Sequence, residues 1–375
     1  MLKILHAADL HLDSPFAALD ERRAEIRRGE LRAAFLSLVT YAQKNGIDLL
    51  LLAGDLFDTE FVTRETVSVL RDGFSRLSCP VVIAPGNHDC AAPGSVWQRE
   101  RFGENVHVFL SPSLEKFSFD ELGADVYGYA FTAPELMVCP LDGHTVDDPS
   151  RINLLCAHGD LGAPVSRYAP LPRAALAAFG ADYAALGHVH NPAPIELRDG
   201  TVVAYAGCLE GRAPDETGPK GAVLCEIEKA DGRADVHAVR LRFSRRRYET
   251  LEADVGGAQS MLEIHDRLAA AVREAGWGED TLGRATLRGA LPPSLVIDTA
   301  ALEAQFPQLF SMRVTDETAP LLDGEDFKND RTARGVFYRA LAEKMESGSP
   351  RERRIAALAL RYGLSAIAGE NISDY

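Results

Sequence analysis

Asp9, His11, Asp55, Asn87, His158, His188 and His190 are carboxylate, amide and imidazole donors, the residue types that hold divalent cations. They occur in the order Asp-x-His, Gly-Asp, Gly-Asn-His-Asp, His and Gly-His-x-His, each where an apolar run ends. Two divalent cations about 4 Å apart repel by roughly 17 kcal/mol at an effective dielectric of about 20, so a site for two needs an anion between them. Asp55 is the candidate bridge. Neutral imidazoles and the Asn87 carbonyl can fill the other positions without so much negative charge that a phosphate is repelled. Such a pair lowers the pKa of bound water from about 15.7 to about 7 and yields a bridging hydroxide as nucleophile. A lone histidine is more often a satisfied core or surface residue; the ordered set points to a dinuclear metal site.

Strands must deliver these residues to one place. Leu2 to Leu5, Ile47 to Ala53, Val81 to Ala84 and Leu154 to Cys156 are short, continuous apolar runs that read as buried strands. Between the first two, Glu21 to Lys44 carries Leu31, Phe35, Leu38 and Ala42 at helical spacing. Thr63 is placed to cap a second helix bearing Val67, Leu70, Phe74 and Leu77. The alternation predicts βαβ units, whose right-handed crossovers bring the carboxyl ends of the strands to one edge, where ligands far apart in sequence converge. Gly54, Gly86 and Gly187 are expected to permit tight turns out of strands.

The runs HAADLHLD, GDLFD and GNHD, the His158 of LLCAHGD and the closing GHVH resemble the calcineurin-like metallophosphoesterases, and within them the SbcD-like DNA repair exonucleases. Residues 205–221, YAGCLEGRAPDETGPKG, resemble the YhaO-like branch of that group. Five ordered motifs make the resemblance specific over about the first 245 residues; beyond them it rests on the arrangement of elements. It implies an α/β fold: a metallophosphoesterase-type β-sandwich flanked by helices, then a small α+β capping domain and C-terminal helices. It implies one metal on Asp9, His11, Asp55 and His190, and a second on Asp55, Asn87, His158 and His188. His88 matches the family's non-ligand histidine, which stabilises the transition state or protonates the leaving oxygen. Asp89 is expected to orient His88 or its loop. Asp58 stands where some relatives have a second catalytic histidine, and completes the candidate catalytic set of His88, Asp89 and Asp58. The partners implied are DNA and an SMC-like coiled-coil ATPase, with a homodimer left open.

Composition sets limits. The chain has 375 residues, 46% hydrophobic, enough for about two domains with sizeable cores. Its net charge of -15 gives no global basic footprint for duplex DNA. The local basic candidate is Arg240, Arg242, Arg245, Arg246 and Arg247, the first two alternating with Val239, Leu241 and Phe243 as in a strand with a basic outer face. Arg212 and Lys220 could meet a phosphate or lie in a solvated turn. Cys79, Cys90, Cys139, Cys156, Cys208 and Cys225 show no Cys-x-x-Cys spacing and read as reduced thiols. The N-terminal apolar run is broken by Asp9, His11 and Asp13, unlike a signal peptide, and no run reaches membrane-span length. A cytoplasmic protein with no membrane partner is expected.

The division expected is residues 1–245 for the nuclease domain, 246–318 for a capping, DNA-steering domain, and 319–375 for a helical partner-docking segment. The middle part shows a helix at Leu262 to Val272, a strand at Ala285 to Leu291, a helix at Thr299 to Phe306 and a strand at Met312 to Thr315. Two helices follow, near Asp330 to Glu346 and Arg351 to Ala368, the second apolar over a wide arc. The function expected is a metal-dependent DNA exonuclease with possible single-strand endonuclease activity, using two divalent ions; the ligand mixture suits manganese, with iron or zinc as alternatives. A small-molecule phosphodiesterase or phosphatase is the first alternative, and a non-catalytic organising subunit of an ATPase complex the second.

Overall fold

The computed structural model describes residues 1–59, 62–198, 200–292, 295–321, 327 and 329–367. Strand β1 (Leu2–Ala7) is followed by helix α1 (Glu21–Lys44), which starts where the Asp20 carboxylate accepts from Arg23 N at 2.9 Å. That side chain satisfies one of the amides a helix start leaves unpaired. β2 (Leu49–Leu52) and α2 (Arg64–Ser75) come next, the latter capped by the Thr63 hydroxyl as the sequence predicts. β3 (Val81–Ile83), α3 (Val96–Arg99) and β4 (Val106–Val108) complete this alternation. β1, β2, β3 and β4 are parallel neighbours, so their carboxyl ends lie along one edge.

The second sheet uses β5 (Glu115–Phe119), β6 (Ala124–Gly128) and β7 (Ile152–His158). After the short pair β8 (Asp160–Leu161) and β9 (Pro170–Leu171) come α4 (Arg173–Phe179), β10 (Tyr183–Gly187), β11 (Glu196–Arg198) and β12 (Thr201–Tyr205). Its order is β11-β12-β10-β7-β6-β5, with the four inner strands parallel and both edges antiparallel. The chain then returns to the first sheet as the hairpin β13 (Gly221–Ala230) and β14 (Arg233–Arg242), giving the order β14-β13-β1-β2-β3-β4. Asp231 and Gly232 turn this hairpin with φ of 51° and 72°, the double left-handed conformation that suits two-residue loops.

The sheets pack face to face. Ile4, Leu51 and Val82 share a core with Leu154, Cys156, Tyr183 and Ala185, and His6 Nδ1 meets the Tyr183 hydroxyl at 2.9 Å within it. Phe35 of α1 and Phe74 of α2 join the same core edge to face, their rings 5.3 Å apart. Alternate residues of the second sheet, including Leu155, Ala157, Ala184 and Leu186, pack with Leu176 and Phe179 of α4. The expected β-sandwich flanked by helices is what forms.

The chain divides into two units, Met1–Arg247 and Tyr248–Tyr375. The second contains β15 (Arg247–Asp254) from the boundary on, α5 (Met261–Glu274), β16 (Thr281–Arg288), β17 (Ala290–Leu291), α6 (Thr299–Glu303), β18 (Ser311–Asp316) and β19 (Ala319–Pro320). The three-stranded sheet runs β15-β16-β18 and β17 pairs with β19. Helices α7 (Ala333–Ser347) and α8 (Pro350–Ile367) belong to this unit and pack through Phe337, Leu341, Met345, Leu360 and Leu364. Ala368, where the sequence pattern ends the last helix, lies outside the described residues. β15 escapes a reading of the sequence because its basic start looks like a linker and its apolar positions are few. No helix among the described residues is long and apolar enough to cross a membrane, and none of the six cysteines forms a disulfide.

Candidate metal centre

The strand ends deliver the donors. Asp9 follows β1, Asp55 follows β2, Asn87 follows β3, His158 ends β7, and His188 and His190 follow β10. Turning the chain back at these points requires backbone that ordinary residues avoid. Asp9, His11, Asp55 and His188 have φ of 50°, 43°, 51° and 102°. Such conformations cost on the order of 1–3 kcal/mol each and persist where the surroundings enforce them. Of the three glycines expected to make turns, only Gly54 has positive φ. Gly86 and Gly187 serve close approach instead: a Cβ on Gly86 would strike the Asp55 carboxylate, and one on Gly187 the Ala53 carbonyl.

Asp9, His11, Asp55 and His190 each offer a ligand atom within 4.8 Å of the others. His190 Nδ1 lies 2.7 Å from Glu216 Oε1, and His11 Nδ1 lies 3.1 Å from Asp58 Oδ1. A carboxylate only accepts, so His190 Nδ1 carries the hydrogen; with His11 Nδ1 turned toward Asp58, the two Nε2 atoms face one another at 3.1 Å. A metal ion in that gap would meet both nitrogens.

The second half of the cluster repeats the pattern. His158 Nδ1 lies 3.1 Å from the Ala53 carbonyl, which leaves Nε2 toward two acceptors, Asn87 Oδ1 at 3.1 Å and Asp55 Oδ2 at 3.4 Å. The ring of His188 lies 5.2 Å from that of His158; its Nε2 meets Asp160 Oδ1 at 3.2 Å, leaving Nδ1 as its ligand atom. Asp55 touches both halves, with Oδ2 3.7 Å from His11 Nε2 as well. All seven donors expected from the sequence therefore converge, and the donor set fits two divalent cations.

The electrostatics agree. Burial pushes His11 down to about 4, and burial together with the His158 charge does the same to His188, so both rings are neutral. Burial would also lower His158, but Asp55 and Asp9 raise it to about 9. Burial pushes the Asp9 carboxyl up to about 6 against the pull of His158. Burial acts upward on Asp55 too, yet His158, His11 and His88 hold it well below the usual carboxylate range. Buried acidic charge at the centre is what a bound cation compensates.

His88 borders the donors, with a ring nitrogen within 4.8 Å of ligand atoms of His11 and Asp58. It is exposed, its backbone N–H donates to Asp55 Oδ1 at 2.9 Å, and its ring lies edge to face with His11 at 5.0 Å. Its Nδ1 lies 2.9 Å from the Asp58 carbonyl, so Nε2 is the atom left to exchange a proton. The other two expected catalytic residues contact the site as follows. Asp89 is buried, and its oxygens accept from Leu56 N and Gly86 N at 2.8 and 2.7 Å; it braces the turn that carries Asp55 and the loop that carries Asn87 and His88, and makes no contact with the His88 ring among those described. Burial and the Asp55 charge push it up to about 7. The Asp58 carboxylate is taken by His11 and by the Arg212 guanidinium.

Sequence reasoning missed Glu216, Asp160 and Tyr168, whose ring lies 4.9 Å from that of His188. Asp160 sits two residues past His158, and Glu216 lies inside the 205–221 segment, but neither has a spacing that declares its partner. The basic features also differ from expectation. Lys220 is 2% exposed and donates to Asn191 Oδ1 and the Thr217 carbonyl, so it forms no solvated turn. Arg240 shares the face of Val236 and Ala238 and donates to the carbonyls of Ala193, Tyr205 and Ala206, because strand alternation turns it toward the second sheet. Arg245 and Arg246 pair with Glu30.

Residues 2–192 match the calcineurin-like phosphoesterase family. The chain is 33% identical over 243 residues, 61% of its length, to the uncharacterized metallophosphoesterase YhaO of Bacillus subtilis. It is 27% identical over 286 residues, 71% of its length, to the DNA double-strand break repair protein Mre11 of Aeropyrum pernix. It is 23% identical over 244 residues, 56% of its length, to the SbcD component of nuclease SbcCD from Staphylococcus epidermidis. These matches span 58%, 67% and 61% of the three relatives. On the matched family and the converging donors, the chain belongs to the calcineurin-like phosphoesterases, whose members bind two divalent metals.

Proposed function

We propose that the chain is a metal-dependent phosphodiesterase acting on DNA ends, an exonuclease with single-strand endonuclease activity as a further capacity, and that it works with an SMC-like coiled-coil ATPase. The observation that carries this reading is the set of donor atoms facing one another around Asp55, with His88 at the rim of the set. Asp9, His11, Asp55 and His190 hold one cation in this reading, and Asp55, Asn87, His158 and His188 the other. Manganese suits the mixture of imidazole, carboxylate and amide, with iron or zinc as alternatives. When bound, the cations supply Lewis acidity toward the phosphodiester and an activated water.

The protein's own groups do the rest. His88 Nε2 delivers a proton to the departing ribose oxygen while the Asp58 carbonyl keeps the ring turned. Asp58 and Asp89 act as braces that hold His11 and the two metal-bearing loops. Support for DNA comes from two of the relatives, a DNA double-strand break repair protein and a nuclease component.

A second reading, a small-molecule phosphodiesterase, is favoured by one observation. Arg240, Arg245 and Arg246 are engaged with the chain's own carbonyls and carboxylates, in a protein of net charge -15. Hydrolysis of defined linear duplex, single-stranded DNA and a bis-aryl phosphate with added manganese separates the two. Release of nucleotides from DNA ends is expected; turnover of the aryl ester with both DNAs intact would overturn the DNA reading.

A further inference from the structure

The carboxylates behind the imidazoles are unevenly shared between the two cation positions. At the position of Asp9, Asp55, His11 and His190, both rings are backed by a carboxylate: Asp58 at 3.1 Å from His11 Nδ1 and Glu216 at 2.7 Å from His190 Nδ1. At the position of Asp55, Asn87, His158 and His188, one ring is backed by the neutral Ala53 carbonyl at 3.1 Å and the other by Asp160 at 3.2 Å. The first position thus has two carboxylates in direct reach and two behind its rings, the second one of each. A carboxylate behind an imidazole fixes its tautomer and raises its basicity toward a metal, an effect of about 10- to 100-fold in affinity.

Glu216 is the best placed of these groups. It is 4% exposed; while Oε1 meets His190, Oε2 accepts from Arg212 N at 2.5 Å, Ala213 N at 3.3 Å and Cys208 Sγ at 3.7 Å. The segment that carries it is anchored at its other end. Arg27, fully buried, donates to Glu210 Oε1 at 2.8 Å and to the Gly211 carbonyl at 2.5 Å, and the backbone amides of Arg245 and Arg246 donate to Glu210. Glu216 is therefore held by more than its contact with His190, which is what a positioning residue requires.

We propose that Glu216 and Asp58 grade the two cation positions, so that the one built on His11 and His190 fills first and the one built on Asn87, His158 and His188 fills at higher metal concentration, with Glu216 as a positioning residue specific to the first. This rests on the two-cation reading above. Uneven filling makes the weaker position the one that responds to the metal supply.

Titration of the metal-free full chain with Mn2+, followed by calorimetry and by the paramagnetic resonance of unbound Mn2+, tests it without any substrate. The wild type is expected to take up two equivalents with dissociation constants at least about tenfold apart. Glu216→Gln keeps an acceptor for His190 but removes the charge, and is expected to weaken the tighter equivalent by about 10- to 100-fold while shifting the weaker by less than about threefold. Asp160→Asn is expected to shift only the weaker. Circular dichroism checks each fold; if Glu216→Gln unfolds, the wild type and Asp160→Asn decide. Two wild-type equivalents of equal affinity, Asp160→Asn acting on the tighter one, or Glu216→Gln weakening both alike would overturn the proposal. Graded binding without DNA hydrolysis would sink the DNA reading alone, and equal binding with DNA hydrolysis would sink the grading alone.

Discussion

The two units of the chain obey local rules to different degrees. Among the described residues, every non-glycine residue with positive φ lies at or before Asp231, in the unit Met1–Arg247. Half of them are candidate metal donors: Asp9, His11, Asp55 and His188. The same unit buries Asp9, His11, Asp55, Asp89 and His158, whereas the buried polar residues described after Tyr248 are Thr281 and Thr318. The second unit is built from Ile264, Leu268, Leu287, Leu302 and similar apolar residues. Strain and buried charge are concentrated where the candidate donors sit, and the described core of the second unit is apolar.

The sharpest way to break this contrast is at the shared carboxylate. Asp55→Asn is expected to lower occupancy of both cation positions and to abolish hydrolysis, while Asp9→Asn chiefly weakens one; metal analysis with two full equivalents in the Asp55 variant would remove its bridging role. Next comes His88→Gln, expected to keep both metals and cut the rate by roughly 10² to 10⁴. Loss of metal in that variant would make His88 a ligand.

Gly86→Ala tests the close approach. Its Cβ would meet the Asp55 carboxylate, so a loss of about 1–3 kcal/mol in chemical denaturation is expected together with weaker metal binding. Intact stability and full loading would show that the loop yields freely. The charge on His158 gives a pH effect. Asp55 and Asp9, working against burial, hold its pKa at about 9, so below that pH the metal-free ring is protonated and loading must displace the proton. Apparent affinity should rise as pH rises toward 9, by up to about tenfold per pH unit for one proton, with proton release detected by calorimetry in buffers of different ionisation enthalpy.

The smallest effect at the site is expected from the second unit. A Cβ on Gly363 would strike the Phe337 ring, so Gly363→Ala should loosen α7 against α8, visible as faster amide exchange there, with both metal equivalents unchanged. Altered metal binding in this variant would contradict the separation of the two regions.

Much of this was legible because ligand residues at strand ends leave a mark in the sequence: an apolar run, then Asp, Asn or His. The bounds of α1 and the Thr63 cap were readable for the same local reason. The backing groups were not. Glu216 lies 26 residues from His190, so only the fold joins them. The fates of Arg240 and Lys220 were hidden because a cation in a turn or an edge strand looks alike whether it meets solvent or a carbonyl. β15 was missed where a run of arginines masks the start of a strand.

In the function proposed, Asp55 joins two cations in one centre. Electron paramagnetic resonance of the full chain loaded with two equivalents of Mn2+ tests it most directly. An exchange-coupled dinuclear signal that disappears in Asp55→Asn is expected. Signals of isolated Mn2+ alone in the loaded wild type, or uptake of a single equivalent, would contradict it.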